Sequence, residues 1–209
     1  MIHNPYSLSV NSEATGRKRR LRVALALGAA AMTLLAAGCG GSDAGNPDSR
    51  LSLEQATEPL ESAPPPLAEI RAQANQLLDG GEDAFSGRIG QLRGFPIVVN
   101  DWASWCGPCR FEFPFFQSQA EKRARQVAFL GVDSDDSRAA AERFLSEIPL
   151  PYPSYTDEDL AIRRALGAVG YPATAFYDRS GKLVYTHQGQ YRSEEDLAAD
   201  IERFAVRGG

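Results

Sequence analysis

The chain has 209 residues, 43% of them hydrophobic, with 22 Lys+Arg against 27 Asp+Glu and a formal net charge of −5, a length that suggests one or two domains. Residues 1–39 hold five of the basic residues and one of the acidic ones, so the remainder carries 17 against 26, a net charge of −9. An acidic body of this kind lacks the basic patch that phosphate contacts require and makes a poor nucleic-acid binder.

Residues 1–16 are polar and unpatterned. Arg17, Lys18, Arg19, Arg20 and Arg22 form a basic cluster, followed by an uncharged run of 15 residues from Val23 to Ala37. A membrane-spanning helix needs about 20 residues, so this basic region with a short apolar segment reads as an export signal for the general secretory route. The run ends Leu34-Leu35-Ala36-Ala37-Gly38-Cys39-Gly40, which resembles the lipobox of bacterial lipoproteins. The resemblance implies a signal peptide over 1–39, with Cys39 lipidated as the new N-terminus. An ordinary cleaved signal and an uncleaved anchor are the alternatives. Residues 40–66, rich in Gly, Ser, Asp, Glu and Pro and ending Pro64-Pro65-Pro66, read as a linker. Its last part is a stiff extended piece rising ~3 Å per residue.

A folded domain is expected over 67–209. Leu67, Ile70, Ala74, Leu77 and Leu78 have helical spacing, closed by Gly80-Gly81. Phe95 to Asn100 predicts a strand buried on both faces, and Cys106 to about Gln126 a helix bent at Pro114. Val127 to Val132 is the next strand, and Asp136 or Ser137 caps a helix reaching Glu147. Pro149, Pro151 and Pro153 interrupt the chain before a short helix from Asp157 to Leu166. Ala173 to Tyr177 and Leu183 to His187 read as a hairpin around Asp178-Arg179-Ser180-Gly181, and Ser193 caps the last helix. Early alternation and a late hairpin imply an α/β fold, with a mixed central sheet flanked by helices.

The chemistry concentrates in Trp102 to Arg110, WASWCGPCR. Cys106 and Cys109 enclose Gly107 and Pro108 where a strand gives way to a helix. Unpaired N–H groups and the helix dipole stabilise a thiolate at such a terminus, which makes Cys106 a nucleophile. Cys109, one turn on, can close a disulfide with it. Half a zinc site and two buried core thiols are the competing readings of the spacing. Zinc needs four ligands, and the other candidates, Cys39, His3 and His187, are not paired in sequence.

Three segments resemble the thioredoxin superfamily, in its extracytoplasmic TlpA/ResA-like branch: Val98 to Pro114, Phe129 to Leu145 and Gly170 to Val184. The resemblance implies a thioredoxin fold with a TlpA-type central insertion. It implies that Pro172 is the cis-proline lying against the C-x-x-C, with Tyr171 offering backbone groups on which a partner strand can pair. Trp105, Gly107 and Pro108 would share that contact surface. It also implies that Glu112 exchanges protons with Cys109 from a buried position of raised pKa. Asn100 stands where cytosolic thioredoxins have a buried aspartate. Asp101 departs from the usual apolar residue, and is expected to reach a solvated edge or pair with an arginine such as Arg93 or Arg110.

The resulting expectation is a membrane-tethered, extracytoplasmic thiol–disulfide oxidoreductase with Cys106, Cys109 and Glu112 catalytic, and no metal or organic cofactor. Its partners would be thiols and disulfides of secreted proteins or apocytochrome c, with a membrane electron donor or acceptor. Related dithiols span about −270 to −120 mV, so direction stays open. The resemblance leans toward a reductase of the cytochrome c maturation type, with oxidation of secreted thiols as the alternative. A copper-delivery module using His187 and a redox-silent scaffold are the readings from other classes.

Overall fold

The computed structural model describes residues 50–208. The export segment, Cys39 and the first part of the expected linker lie outside the described residues.

Six strands form one mixed sheet in the order β1-β4-β3-β2-β5-β6. They are β1 (Leu77–Leu78), β2 (Ile97–Trp102), β3 (Ala128–Ser134), β4 (Ser154–Asp157), β5 (Ala173–Tyr177) and β6 (Leu183–Gln188). The pairings β1–β4, β4–β3 and β3–β2 are parallel, while β2–β5 and β5–β6 are antiparallel. The helices are α1 (Leu53–Thr57), α2 (Pro65–Ala72), α3 (Gly81–Gln91), α4 (Gly107–Arg123), α5 (Arg138–Glu147), α6 (Ala161–Ala165) and α7 (Glu194–Asp200), the last running on into a wider-wound turn, Ile201–Val206.

β2 is buried at every position, as its apolar run requires, with helices over both faces. Alternate residues point to opposite faces. Trp102 points toward α4 and α5, where it packs edge-on against Phe113 (5.4 Å between ring centroids) and beside Phe144 (5.2 Å). The opposite face is covered by α3, whose Phe85 meets Tyr155 of β4 edge-on at 5.7 Å. The hairpin, the α5 cap by Ser137 and the α7 cap by Ser193 are as the sequence predicts.

Three elements differ from expectation. The helix expected over 67–78 stops at Ala72, and Leu77–Leu78 instead pair with Ser154–Tyr155. Gly80 does not merely end a helix. It sits at φ 107° and caps the start of α3, an element the sequence reading omits. The prolines from 149 to 153 lead into β4, so the expected helix from Asp157 shortens to α6. Packed structure also reaches back before Leu67. Ser52 and Gln55 form a reciprocal capping box on α1, Ala56 is buried, and Arg71 Nη1 donates to the Ala56 carbonyl at 2.8 Å. Pro114 lies inside α4, which continues through it.

Gly131 of β3 leaves no room for a side chain. A Cβ there would fall 2.1 Å from Ser154 Oγ and 3.0 Å from Trp102 Nε1, atoms that are themselves hydrogen-bonded at 3.1 Å. Gly131→Ala is therefore expected to cost about 1–3 kcal/mol in denaturant unfolding. Combined with Ser154→Gly it should lose less than the two single variants added together, because the clash and the lost bond share one space. Additive losses would show that crowding at Ser154 is not the cause.

Candidate active site

β2 ends at Trp102 and α4 begins at Gly107, so the four-residue loop Ala103–Cys106 carries the first sulfur to a helix N-terminus. Cys106 is the N-cap of α4, and its Sγ accepts the backbone N–H of Cys109 at 3.1 Å. Gly107 and Pro108 are the first two helical residues. Proline is tolerated there because no intrahelical partner for its missing N–H exists. Cys106 and Cys109 are joined as a disulfide, with Cα atoms 5.3 Å apart. Their access differs: Cys106 keeps 4% of its surface exposed and Cys109 none.

The sheet register brings a second loop to the same place. Because β5 runs antiparallel to β2, its first residue, Ala173, lies opposite Asp101 near the end of β2. The residues before Ala173 therefore face the loop that holds Cys106. The Tyr171–Pro172 peptide is cis. Tyr171 packs edge-on against Trp105 at 4.9 Å, and Trp105, 57% exposed, donates from Nε1 to the Asp135 carbonyl at 2.9 Å. Trp105, Tyr171, Gly107 and Pro108 thus form a partly open rim beside the disulfide. The loop after β3 fixes this rim from below, where Asp136 Oδ2 accepts the Ser104 N–H at 2.5 Å.

Glu112 lies one turn beyond Cys109 on α4 and is fully buried. Its Oε1 accepts from Asn100 Nδ2 at 3.1 Å and its Oε2 from the Tyr191 N–H at 2.9 Å. Burial pushes its pKa up to about 8, against the lowering effect of these two bonds. Asn100 keeps a buried Oδ1 without a partner, an acceptor that a protonated neighbour could use.

Asp101 does not reach solvent, nor does it pair with Arg93 or Arg110. It is fully buried and ion-paired with Arg163 of α6, through Oδ2 and Nη1. Its Oδ1 accepts from Ser134 Oγ at 2.6 Å. Arg93 lies on the loop before β2, and Arg110 instead bonds Glu147 at 2.7 Å. Burial raises the Asp101 pKa to about 7, while Ser134 and Arg163 pull it down. Arg163 is the residue sequence reasoning misses. Sixty-two positions separate it from Asp101, and one of many arginines carries no local signal. His187 lies on β6, stacked on Tyr191 at 4.1 Å, with Nδ1 3.6 Å from Asp200.

The buried carboxyl of Glu112 generates a pH prediction. Its folded pKa near 8 exceeds the ordinary 4.5. Between those values the folded chain holds a proton that the unfolded chain has lost, so stability falls as pH rises through the window and levels off above it. Glu112→Gln has no charge to bury, and its amide can donate to Asn100 Oδ1. Relative to wild type, its unfolding free energy should rise steadily from pH 5 to pH 8. A difference between the two that stays flat over that range contradicts the assignment.

Residues 71–201 match the Redoxin family. Among curated proteins, a thiol:disulfide interchange protein DsbE of Pseudomonas fluorescens biotype C is 42% identical over 93 residues, 44% of this chain and 51% of that protein. The thiol-disulfide oxidoreductase ResA of Bacillus thuringiensis subsp. konkukian is 25% identical over 105 residues, 50% of this chain and 61% of that protein. The chain thus spans about half to three-fifths of the length of these curated relatives. Among solved structures, a candidate DsbE-type thiol:disulfide interchange protein from Chlorobium tepidum superposes with a TM-score of 0.52 at 29% identity, over 55% of this chain and 83% of that one. With the mixed sheet, the terminal disulfide of α4 and the proline loop already in place, these matches have one reading: the chain belongs to the Redoxin family, as a TlpA/ResA-like member of the thioredoxin superfamily.

Proposed function

We propose that this protein is a membrane-tethered, extracytoplasmic thiol–disulfide oxidoreductase that exchanges electrons with other proteins through Cys106 and Cys109. The observation that carries the reading is the asymmetry of the pair. One sulfur caps a helix in a residue that keeps 4% of its surface exposed, while the other belongs to a residue with none. In the reducing direction the Cys106 thiolate attacks a partner disulfide. One partner sulfur leaves as a thiolate and the other stays bonded to Cys106. Cys109 loses its proton and attacks Cys106, which releases the second partner sulfur. The partner gains two electrons and, with two protons, becomes a dithiol. The protein becomes the disulfide seen here. The oxidising direction is the reverse.

Each neighbour has a task in this scheme. Glu112, whose burial raises its pKa to about 8, exchanges protons with Cys109: its carboxylate takes the thiol proton, and its acid form returns it. Trp105, Gly107 and Pro108 form the contact surface around Cys106. Tyr171 and Pro172 present backbone to an extended partner segment, which would pair as an added strand. The direction we favour is reduction, with apocytochrome c cysteines or disulfides of secreted proteins as substrates and a membrane electron donor. The names DsbE and ResA among the relatives support this class of chemistry.

Tethering rests on the lipobox-like Leu34–Cys39 segment. No helix among the described residues is long and apolar enough to cross a membrane. A lipid on Cys39 would hold the domain at the outer face of the cell membrane by a chain that does not span it. Cys39→Ser should then leave the protein without incorporated fatty acid and shift it out of the membrane fraction. Unchanged labelling and fractionation would remove the lipoprotein assignment.

The exchange reaction is tested on the full chain. Cys106→Ser should lower turnover of a protein disulfide by at least a thousandfold, while Cys109→Ser should accumulate mixed disulfides on Cys106 whose partners mass spectrometry identifies. Partners trapped on Cys109 in the Cys106→Ser variant, with none trapped in Cys109→Ser, would sink the assignment of roles. Equilibration of the wild-type pair with glutathione reads the direction. A midpoint near −120 mV, the oxidising end of about −270 to −120 mV, would favour the oxidant.

A further inference from the structure

The buried ion pair between Asp101 and Arg163 is unused by the exchange chemistry above. An interior strand position that accepts an apolar side chain gains little net stability from a buried charge pair, because desolvation offsets the attraction. The geometry around Arg163 gives the pair a different use. One guanidinium nitrogen, Nη1, binds Asp101, and Nη2 donates to the Gly170 carbonyl at 2.7 Å. The face of the guanidinium covers the Tyr171 ring, with Cζ 3.7 Å from the ring centroid. Arg163 therefore grips both residues that precede the cis-proline, one by its backbone and one by its ring.

Asp101 is itself held in place. Ser134 Oγ donates to it and lies 3.3 Å from Asp157 Oδ2. Asp157 in turn accepts the N–H groups of Ile162 (2.9 Å) and Arg163 (2.8 Å). Three neighbouring strands, β2, β3 and β4, thus fix both the head of Arg163 and the backbone from which it projects. From Tyr171 the contact passes to Trp105 and so to the rim beside Cys106.

We propose that Arg163, oriented by Asp101, is a positioning residue that holds the Gly170–Tyr171–Pro172 loop in register with the disulfide, and so sets how well a protein partner is bound. The sulfur chemistry itself does not pass through the pair. This rests on the exchange reading above. A planar, forked donor suits the position, since a lysine could keep the charge but not serve Asp101, Gly170 and the ring together. Small disulfides, which do not pair with the loop backbone, should be indifferent to the clamp.

The test uses the full chain, with Arg163→Lys and the charge-free double variant Asp101→Leu/Arg163→Met, the second of which leaves no unpaired buried charge if the first folds poorly. Turnover, with reduced dithiothreitol as the electron source, is measured with a peptide disulfide and, separately, with hydroxyethyl disulfide. Acrylamide quenching of the exposed Trp105 reads the rim directly, since Trp102 is fully buried. In both variants KM for the peptide should rise about tenfold with kcat nearly constant. The hydroxyethyl disulfide rate should stay within twofold of wild type, and Trp105 should become more accessible to quencher. An unchanged KM and unchanged quenching overturn the clamp, as does an equal loss with both substrates. If wild type exchanges with neither substrate, the redox reading fails, and the quenching comparison alone still decides whether the pair fixes the loop.

Discussion

The structure depends on the two-sided pairing of β2. Parallel to β3 on one side and antiparallel to β5 on the other, it sends its own C-terminal end and the N-terminal end of β5 to the same edge of the molecule. A sheet with β5 reversed would carry the proline loop to the far end, away from the sulfurs. Full burial of β2 makes this register hard to alter. Because side chains alternate, a slip of one residue would turn Trp102 away from Phe113 and Phe144 and present Asp101 to the helix α4 face instead. The place where a helix N-terminus, a disulfide and a cis-proline meet is thus a consequence of strand direction and register before any catalytic side chain is considered.

Much of this was legible in the sequence because it is local. A strand buried on both faces is a continuous apolar run, and a cysteine pair at the following helix start is a short motif. A hairpin has its Asp-Arg-Ser-Gly turn, and helix caps announce α5 and α7. The failures are also local in origin. Leu77 and Leu78 continue the spacing of α2 and look helical, although Asn75 at φ 62° breaks the helix before them. Gly81, Gly87 and Gly90 disguise α3, whose helical state is decided by packing Phe85 and Ile89 onto the sheet. β4, Ser-Tyr-Thr-Asp, has no apolar run, and its place between β1 and β3 makes it a strand. The Asp101–Arg163 pair was illegible for a different reason. An ion pair between distant positions leaves no trace in the spacing of either residue.

Adjacent residues on β2 divide the polar interior into two parts that the sheet keeps separate. Asn100 faces α4 and meets Glu112, which also binds the backbone of Tyr191 in the segment before α7. Asp101 faces the other way and meets Ser134 and Arg163. Both carboxyls are fully buried and both have pKa values lifted by burial, to about 8 and about 7. Their partners differ in kind. Glu112 has only neutral donors, whose hydrogen bonds favour its ionised form without outweighing burial, so it keeps its proton up to about pH 8. Asp101 faces a guanidinium that cannot give up its charge, and its ionised form is the one that matches the fork.

That difference separates a group suited to moving a proton from a group suited to holding a shape. Ionising a carboxyl among neutral groups leaves a buried charge with no counter-ion, softened by two hydrogen bonds, and that cost lifts its titration toward the range of a thiol. A carboxylate facing an arginine is favoured by that charge, since protonating it would strand a buried cation, although burial still lifts its pKa to about 7. In the exchange proposed above, Glu112 would serve the thiols while the Asp101–Arg163 pair holds the proline loop still. The alternation of one strand is enough to keep the two functions from interfering, because no side chain on one face of the sheet can exchange a proton directly with a group on the other.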